Sequence, residues 1–472
     1  MEIHIPVLKI LFCFASVGIV AMAIKFLFFS EEAELLAEQR EKVVDLPTGV
    51  KVPSETSNYL GWEVDLDIPI YLPESVRSRH VHIIGATGSG KTESVILNLI
   101  DQDAHNDSPI VIVDAKGDQS FVNFLRKHPK AKEKLLVFDM AKKEHSVRYD
   151  PLASGTPVEA VARLFSSMTW SEEFYKLRAR ETLLRLAEIQ VESKQRITLQ
   201  WLKEALASAG SLVSFLGSSI KISENEYSQL AGLVAQVNQL CYGNLGELIS
   251  GASTEREIRF SDVIKQGKII YFRLPALVDP VTTATVGRLI IADLAYYSAS
   301  VQDGIHEKRF TPVFLDEFSS LVCPSFIELI GKSRSAGIAL HFSHQSLANL
   351  KAAGESFASE ISDNCSTKIV LRVYDPDTTE TVAKTFGTHN TTKETRQVIT
   401  GPFGTDESTG AMSVRDVKEF RAEPDVLKSL PTGWGFVLMN HAMRPNGRSG
   451  DVFKIKFPLP PSYNSQTQEE TN

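Results

Sequence analysis

The sequence predicts an α/β fold in which a largely parallel β-sheet carries a phosphate-binding loop. The stretch "GATGSGKT" at residues 85–92 fits the pattern G-x-x-x-x-G-K-[ST] and lies between an apolar run, His80–Ile84, and a helical pattern, Glu93–Asp101. Further short apolar runs recur along the chain, with helical patterns between several of them, as a parallel sheet covered on both faces requires. These runs are "PIVIVDA", "KLLVFDM", "KIIYFRL", "PVFLDE", "IALHFSH" and "TKIVLRV".

The glycine-rich loop has the chemistry of a nucleotide site. Backbone N–H groups at a strand-to-helix turn converge on a β-phosphate, and the positive end of the new helix adds to the attraction. Lys91 would reach the β- and γ-oxygens, and the Thr92 hydroxyl would hold Mg²⁺. A flexible Gly/Ser loop is the alternative interpretation. The predicted cofactors are ATP and Mg²⁺, bound by Gly85, Ala86, Thr87, Gly88, Ser89, Gly90, Lys91 and Thr92.

Such a loop needs a carboxylate partner, and two apolar runs end in one. Asp316 and Glu317 close "TPVFLDEFSS", where Asp316 would bind the metal and Glu317 would polarise water. Asp114 ends "PIVIVDAKGD", where it either forms a strand-end turn before Lys116 or supports the site. We favour the Asp316 and Glu317 pair.

Length and composition limit the kinds of partner. A chain of 472 residues with 43% hydrophobic content can build one large core and a second domain. The formal net charge of -8 excludes a global basic field, so contact with nucleic acid must be local. The four cysteines, Cys13, Cys241, Cys323 and Cys365, do not have metal-ligand spacing and indicate free thiols in a reducing compartment.

The N-terminal region predicts a membrane anchor. From Ile5 to Phe29 only Lys9 and Lys25 interrupt the apolar character, which is long enough for one transmembrane helix. A signal peptide with "AMA" at 21–23 as its cleavage site is the alternative, but export would separate the nucleotide site from ATP. We therefore expect a single-pass membrane protein whose ATPase body lies in the cytoplasm.

The middle of the chain lacks convincing strands for over a hundred residues, and "EFYKLRARETLLRLAEIQVESK" there has helical periodicity. We interpret it as an all-helical subdomain inserted into the sheet domain. The expected organisation is an anchor (1–30), a linker (31–60), the first part of the nucleotide-binding domain (61–152), the helical insertion (153–262), the second part (263–457) and a disordered tail (458–472).

Several motifs together resemble the conjugative coupling proteins of type IV secretion systems, the TraG/TraD-like branch of the FtsK/HerA motor superfamily. The resemblance covers about residues 60–440 and lies in "GATGSGKTES", "VDAKGD", "YDPL", "FLDEFSSL", "KSRSAGIALHFSHQS" and "NCSTKIVLRVYDPDTTE". It implies a RecA-like P-loop ATPase of the bacterial inner membrane that assembles into a ring, so a homo-hexamer is expected. Many members carry two membrane helices, whereas this sequence shows one.

The resemblance implies a motor that moves single-stranded DNA with its attached relaxase, and other relaxosome proteins, toward a type IV secretion channel. Two other functions remain open: a coupling receptor for protein effectors only, and a HerA-like DNA-processing motor. An expected membrane anchor weakens the last.

The resemblance also assigns roles beyond the loop. From the residues alone, Arg334 in "KSRSAG" is a cation near a helix end stopped by Gly337. In related motors the arginine of this motif reaches the γ-phosphate of a neighbouring subunit, and the glutamine at the position of Gln345 senses the same phosphate. Packing and turn roles are expected for Asn364, Lys368, Arg372 and Asp375, with Arg372 as the candidate phosphate contact among them.

Overall fold

A computed structural model describes residues 56–217, 221–250, 257–351, 354–400, 406–443 and 449–463. The anchor predicted at residues 5–29 lies outside the described residues.

The described strands form one large mixed sheet and a separate hairpin. The strands are β1 Ser57–Glu63, β2 Ile68–Pro73, β3 Val81–Ile84, β4 Ile110–Asp114, β5 Leu135–Asp139, β6 Ile269–Arg273, β7 Thr311–Asp316, β8 Ile338–His344, β9 Thr367–Val370, β10 Thr388–Thr400, β11 Asp406–Phe420, β12 Trp434–Met443 and β13 Ser449–Lys456. The 11-stranded sheet has the order β2-β1-β13-β12-β9-β3-β8-β7-β4-β6-β5, and β10 pairs with β11.

Seventeen helices can be numbered in the described residues, apart from short 3-10 turns. The first six are α1 Glu74–Arg77, α2 (a π-helical turn at Lys91–Ile96 that continues as Leu97–His105), α3 Gln119–Lys127, α4 Pro157–Ser167, α5 Glu173–Glu192 and α6 Leu199–Ala205. The next six are α7 Ala209–Leu216, α8 Glu224–Ser228, α9 Ala231–Leu240, α10 Gly243–Ile249, α11 Phe260–Lys265 and α12 Pro280–Gln302. The last five are α13 Pro324–Lys332, α14 Leu347–Lys351, α15 Glu355–Asn364, α16 Pro376–Phe386 and α17 Pro424–Ser429.

The strands from β9 to β5 in this order are all parallel. Apart from the edge strand β5, they are buried on both faces along nearly their whole length. In β4, Val111 and Val113 join one hydrophobic cluster, whereas Ile110 and Ile112 join another on the opposite face. Because side chains alternate between the faces of a strand, a continuous apolar run fits only a strand that is covered twice. All six apolar runs that were predicted as strands are confirmed.

The segment between β5 and β6 is helical in its described residues, apart from one isolated bridge between Tyr149 and Ile258. Local signals start its helices: the Thr156 hydroxyl accepts a hydrogen bond from the Glu159 N–H, while the Glu159 carboxylate accepts from the Thr156 N–H. The apolar faces of these helices share one buried cluster with the sheet. The inserted helices therefore belong to the same hydrophobic core as one face of the sheet.

The sheet differs from expectation at its edge. Four strands, β12, β13, β1 and β2, extend it by antiparallel pairing. β1 begins at Ser57, inside the stretch that we expected to be linker. The apolar run before the loop is shorter than predicted, because His80 has φ 65° and the strand begins at Val81.

The C-terminal expectation is also corrected in part. We expected a disordered tail from residue 458, but Pro458 and Tyr463 are held by hydrogen bonds from Asn98 and to Asp101. The ordered chain thus extends at least to Tyr463, and residues 464–472 lie outside the described residues.

Candidate active site

The glycine-rich loop lies between β3 and α2, as predicted. Gly88 and Gly90 have φ values of 75° and 97°, which L-residues with a side chain rarely adopt. A Cβ atom on Gly90 would also lie 3.0 Å from the Gly433 backbone nitrogen. The loop conformation therefore requires glycine at both positions, which is a stricter condition than a flexible loop would impose.

Lys91 is the first residue of α2, and its side chain folds back over the loop. Its Nζ donates to the carbonyl oxygens of Gly85 (2.5 Å) and Ala86 (3.4 Å), and the residue is only 6% exposed. Burial lowers the pKa of Lys91, while the carboxylates of Glu317 and Asp316 act in the opposite direction. The ammonium group is thus held at the mouth of the loop, where a phosphate oxygen can replace a carbonyl as its partner.

Asp316 ends β7 and lies against the start of α2. Its Oδ2 accepts a hydrogen bond from the Thr92 hydroxyl at 3.0 Å. Its Oδ1 accepts from the Ser343 hydroxyl and from the Glu317 N–H. A hydroxyl and a fixed carboxylate oxygen are hard oxygen ligands, so the pair has the chemistry that Mg²⁺ requires. Ser343 was missed in the sequence, because a serine inside an apolar strand gives no local signal.

Glu317 and Gln345 face each other across the cleft. Glu317 has a left-handed backbone, with φ 52° and ψ 46°, which is uncommon for a residue with a long side chain. The Gln345 Nε2 lies 3.4 and 3.5 Å from the two Glu317 carboxylate oxygens. The strained backbone turns the Glu317 side chain toward the nucleotide side, and Gln345 follows β8 at the same edge of the sheet.

Asp114 is occupied by the turn that follows β4. Its carboxylate oxygens accept from the N–H groups of Lys116, Gly117 and Asp118. The Tyr271 hydroxyl also donates to it, at 2.8 Å. Burial raises the pKa of Asp114 to about 6, against the effect of these hydrogen bonds. This geometry favours the strand-end turn, although Asp114 pairs in register with Asp316 on β7.

Arg334 lies at the amino ends of the parallel strands, just before β8. α13 ends at Lys332, and Arg334 sits in a 3-10 turn that Gly337 ends with φ 83°. The seven residues of β8 then separate this turn from Gln345, a length of about 23 Å. Arg334, Lys308 and Lys332 line a cleft of about 590 Å³. Arg334 therefore lies too far away to contact a nucleotide bound at its own loop.

Arg372 contacts the loop from the same chain. It donates to the carbonyl oxygens of Gly88 (3.3 Å) and Leu430 (3.2 Å), next to Thr432, whose hydroxyl also donates to Gly88. These contacts fix the loop backbone. Packing and turn roles also describe the other residues of that motif: Asn364 donates to Glu360, Lys368 donates to Cys365, and Asp375 caps α16 at Thr378.

Lys91, Thr92, Glu317 and Gln345 line one cleft of about 610 Å³, and Asp316 is hydrogen-bonded to Thr92 in its wall. Its walls include residues that the sequence analysis did not single out, because they come from several loops that are distant in sequence. They are Lys116, Ala276, Leu277, Ser320, Thr432 and Leu459. Gly433 approaches the loop as well, because its N–H donates to the Ser89 carbonyl at 3.0 Å. The fold and this cleft define a P-loop nucleotide-binding protein.

Two family profiles match the chain. Residues 59–277 match the central domain of helicase HerA, and residues 311–432 match the TraM recognition site of TraD and TraG. The type 4 coupling protein DotL of Legionella pneumophila subsp. pneumophila is 29% identical over 191 residues, which cover 36% of this chain and 24% of DotL. The chain therefore aligns with only about a quarter of this curated relative.

Solved structures show the same fold. The conjugative coupling protein TrwB without its first 70 residues superposes with a TM-score of 0.63 at 18% identity, covering 92% of this chain and 93% of that one. TrwB in complex with ADP and Mg²⁺ gives 0.62 at 18% identity, covering 86% and 90%. VirB4 of Thermoanaerobacter pseudethanolicus gives 0.57 at 13% identity, covering 86% and 98%. The matched profiles and the DotL segment are thus those of type IV secretion coupling proteins and of the HerA-type P-loop ATPases, to which this chain is similar.

Within the described ranges, no helix is both long enough and apolar enough to cross a membrane.

Proposed function

We propose that the cleft binds ATP with Mg²⁺ and hydrolyses it. The observation that carries this proposal is the contact of Asp316 with Thr92, directly beside the loop lysine and Glu317. The loop N–H groups and Lys91 bind the phosphates, and Thr92 and Asp316 hold the metal, which neutralises charge on the transferred phosphoryl group. Glu317 orients and polarises the attacking water, and Gln345 positions the Glu317 carboxylate.

Hydrolysis drives the transport of single-stranded DNA with its relaxase into a type IV secretion channel. Similarity to the coupling protein DotL supports this proposal, and the matched profile of the TraM recognition site supports relaxosome proteins as partners. The chain itself is acidic overall, so the DNA contact is local. Transport of protein effectors alone and HerA-like DNA processing are the competing functions.

The motor acts as a ring, and a homo-hexamer is the proposed assembly. The position of Arg334 supports this proposal, because β8 separates it by about 23 Å from the nucleotide cleft of the same subunit. It lines a surface cleft together with Lys308 and Lys332. A neighbouring subunit's nucleotide can satisfy this cluster of positive charge. Arg334 then acts as an arginine finger in trans.

The ring is held at the inner membrane by one helix at residues 5–29, with its body in the cytoplasm. Deletion of residues 1–30 is expected to move the protein from the membrane to the cytosol in fractionation. Protease added to intact spheroplasts is expected to spare the body of the full chain. Digestion of the body from outside would contradict this topology.

The cargo is tested by the effect of single-stranded DNA on ATP turnover by the full chain. A DNA-transporting motor is expected to hydrolyse ATP several-fold faster with single-stranded DNA than without it. The Lys91→Ala variant serves as the control for contaminating ATPase activity. Stimulation by duplex DNA alone would favour DNA processing, and no stimulation by either would favour protein effectors as cargo.

A further inference from the structure

The chain continues beyond β13 as a short segment along one side of the nucleotide cleft. The N–H of Phe457 donates to the Gly433 carbonyl at 2.8 Å, and Asn98 of α2 donates to the Pro458 carbonyl. The Tyr463 hydroxyl donates to the Asp101 carboxylate, also on α2. Residues 457–463, here called the C-terminal wall, are therefore fixed at both ends to the helix that carries the phosphate-binding lysine.

The far end of the C-terminal wall is held in a preformed socket. The Tyr463 ring contacts the rings of His128 (4.9 Å between centroids) and Phe124 (5.8 Å). The fully buried His128 Nε2 lies 3.1 Å from the same Asp101 carboxylate. A fixed carboxylate and two ring faces are specific contacts for a tyrosine, so the end of the wall is positioned rather than loosely packed.

The same cluster resembles a metal site, but its hydrogen bonds do not suit one. Asp101, His105 and His128 bring three possible ligand atoms together. However, the His128 Nδ1 accepts from the N–H groups of Lys130 (3.2 Å) and Ala131 (3.0 Å). A neutral imidazole whose Nδ1 accepts carries its proton on Nε2, the nitrogen that faces Asp101, and has no lone pair there for a cation.

Leu459 lies between the two fixed ends and lines the nucleotide cleft. It is 41% exposed, although it is a large apolar side chain. Its neighbours Thr432 and Gly433 contact the loop at Gly88 and Ser89. Asp316 contacts the loop at its last residue, Thr92. Asp316 and Glu317 are the proposed γ-phosphate end of the site, whereas the C-terminal wall contacts α2 at Asn98 and Asp101, beyond the phosphate-binding residues. We therefore place the nucleoside on the side of the C-terminal wall.

We propose that the C-terminal wall is the nucleoside-binding wall of the cleft, in which Leu459 contacts the base and Tyr463 positions Leu459. This inference rests on the proposed nucleotide site and adds the residues that recognise the part of the ligand beyond the phosphates. An apolar contact to a flat base gains affinity by removing both surfaces from water.

The test compares ATP with inorganic tripolyphosphate, which has the phosphates but no nucleoside. Dissociation constants of both are measured for the full-length protein and for Leu459→Ala. We expect Leu459→Ala to weaken ATP binding about tenfold and to leave tripolyphosphate binding within about twofold of wild type. Leu66→Ala, an exposed leucine outside the cleft, is the matched control and should change neither constant.

The role of Tyr463 is tested with Tyr463→Phe, which keeps the ring and removes only the hydroxyl group that donates a hydrogen bond to Asp101. This variant is expected to weaken ATP binding several-fold and to spare tripolyphosphate. Because Tyr463 acts through Leu459, the double variant should bind ATP no more weakly than Leu459→Ala alone.

Three results would overturn the inference. ATP affinity unchanged in Leu459→Ala would show that the base lies elsewhere. Equal loss of ATP and tripolyphosphate would show that the C-terminal wall supports the loop and does not contact the nucleoside. A wild-type protein that binds tripolyphosphate but not ATP would remove the base contact, whereas one that binds neither would remove the proposed nucleotide site itself.

Discussion

Asp316 and Glu317 are neighbours in sequence but differ in their surroundings. Asp316 is buried and fully hydrogen-bonded to Thr92, Ser343 and the backbone, so its position is fixed. Glu317 has only the long contact with Gln345 and lies in the cleft. The first residue is suited to hold a metal, and the second is free to turn toward a water molecule.

The Glu317→Gln variant is expected to bind ATP and to hydrolyse it at least about a hundredfold more slowly, because the amide is not a base. Steady-state turnover and nucleotide binding are measured on the same preparation. Asp114→Asn is the comparison: it should lose about 1–3 kcal/mol of stability through unsatisfied turn donors and keep its turnover. If Asp114→Asn stops turnover and Glu317→Gln does not, the roles of the two strand ends are reversed.

His80 gives a prediction about pH. Burial lowers the pKa of His80 to about 4, below the value of about 6.5 for an unfolded chain. The unfolded state therefore binds the proton first, and stability is lost as pH falls from about 6.5 to about 4. His80 alone should cost about 2 kcal/mol between pH 6.5 and pH 5.

The matched variant is His80→Asn, because asparagine tolerates the left-handed φ of 65° and offers an acceptor in place of Nδ1, which accepts from the Leu340 N–H. Denaturant unfolding at the two pH values should show a smaller loss in the variant than in wild type. An equal loss in both proteins would contradict the buried, neutral state of His80.

Residue chemistry in the sequence predicted Lys91, Thr92, Asp316 and Glu317, and the family resemblance added Gln345 and Arg334. Lys91, Thr92, Glu317 and Gln345 line one cleft, Asp316 is hydrogen-bonded to Thr92, and Arg334 lies in a different cleft. Ser343, Thr432 and Leu459 were not indicated. Each approaches the loop through pairing between distant parts of the chain, and no local pattern of residue types records such an approach.

At the scale of elements, the parallel strands could be predicted and the antiparallel ones could not. A strand buried on both faces, such as β4 with "IVIVD", is a continuous apolar run. β1 reads "SNYLGWE", with mixed polarity, and it pairs with β13, almost four hundred residues later. Its position depends on that long-range pairing, so local periodicity gives little indication of it.

In the proposed ring, the 3-10 turn that carries Arg334 lies at the contact between neighbouring subunits. Arg334→Ala is expected to leave ATP binding and the melting temperature nearly unchanged, because a cation at a helix end contributes at most about 1 kcal/mol. Hydrolysis by the assembled ring should fall about a thousandfold or more, as expected for the loss of an arginine finger.

Mixing Arg334→Ala with Lys91→Ala protein provides the control for a role in trans. Some interfaces of the mixed rings then pair an intact loop with an intact arginine, so part of the activity should return. If mixed rings form and stay inactive, or if Arg334→Ala alone hydrolyses ATP normally, the finger assignment is wrong. The surface that Arg334 shares with Lys308 and Lys332 would then no longer support a contact with a neighbouring subunit's nucleotide.

At the scale of the whole molecule, one sheet organises all parts of the proposed motor. The nucleotide cleft lies at the carboxyl ends of the parallel strands, and Arg334 lies at their amino ends. The antiparallel strands extend the same sheet, and β13 leads into the C-terminal wall. The helices between β5 and β6 share a buried cluster with one face of the same sheet.

The central claim is that the loop at residues 85–92 serves ATP hydrolysis, and the Lys91→Ala variant tests it most directly. ATP turnover and thermal melting are measured together on the wild-type and variant full chains. We expect turnover to fall to the background level while the melting temperature changes little, because Lys91 supplies charge to the phosphates and two hydrogen bonds to the loop. Unchanged turnover in a folded Lys91→Ala protein would contradict it.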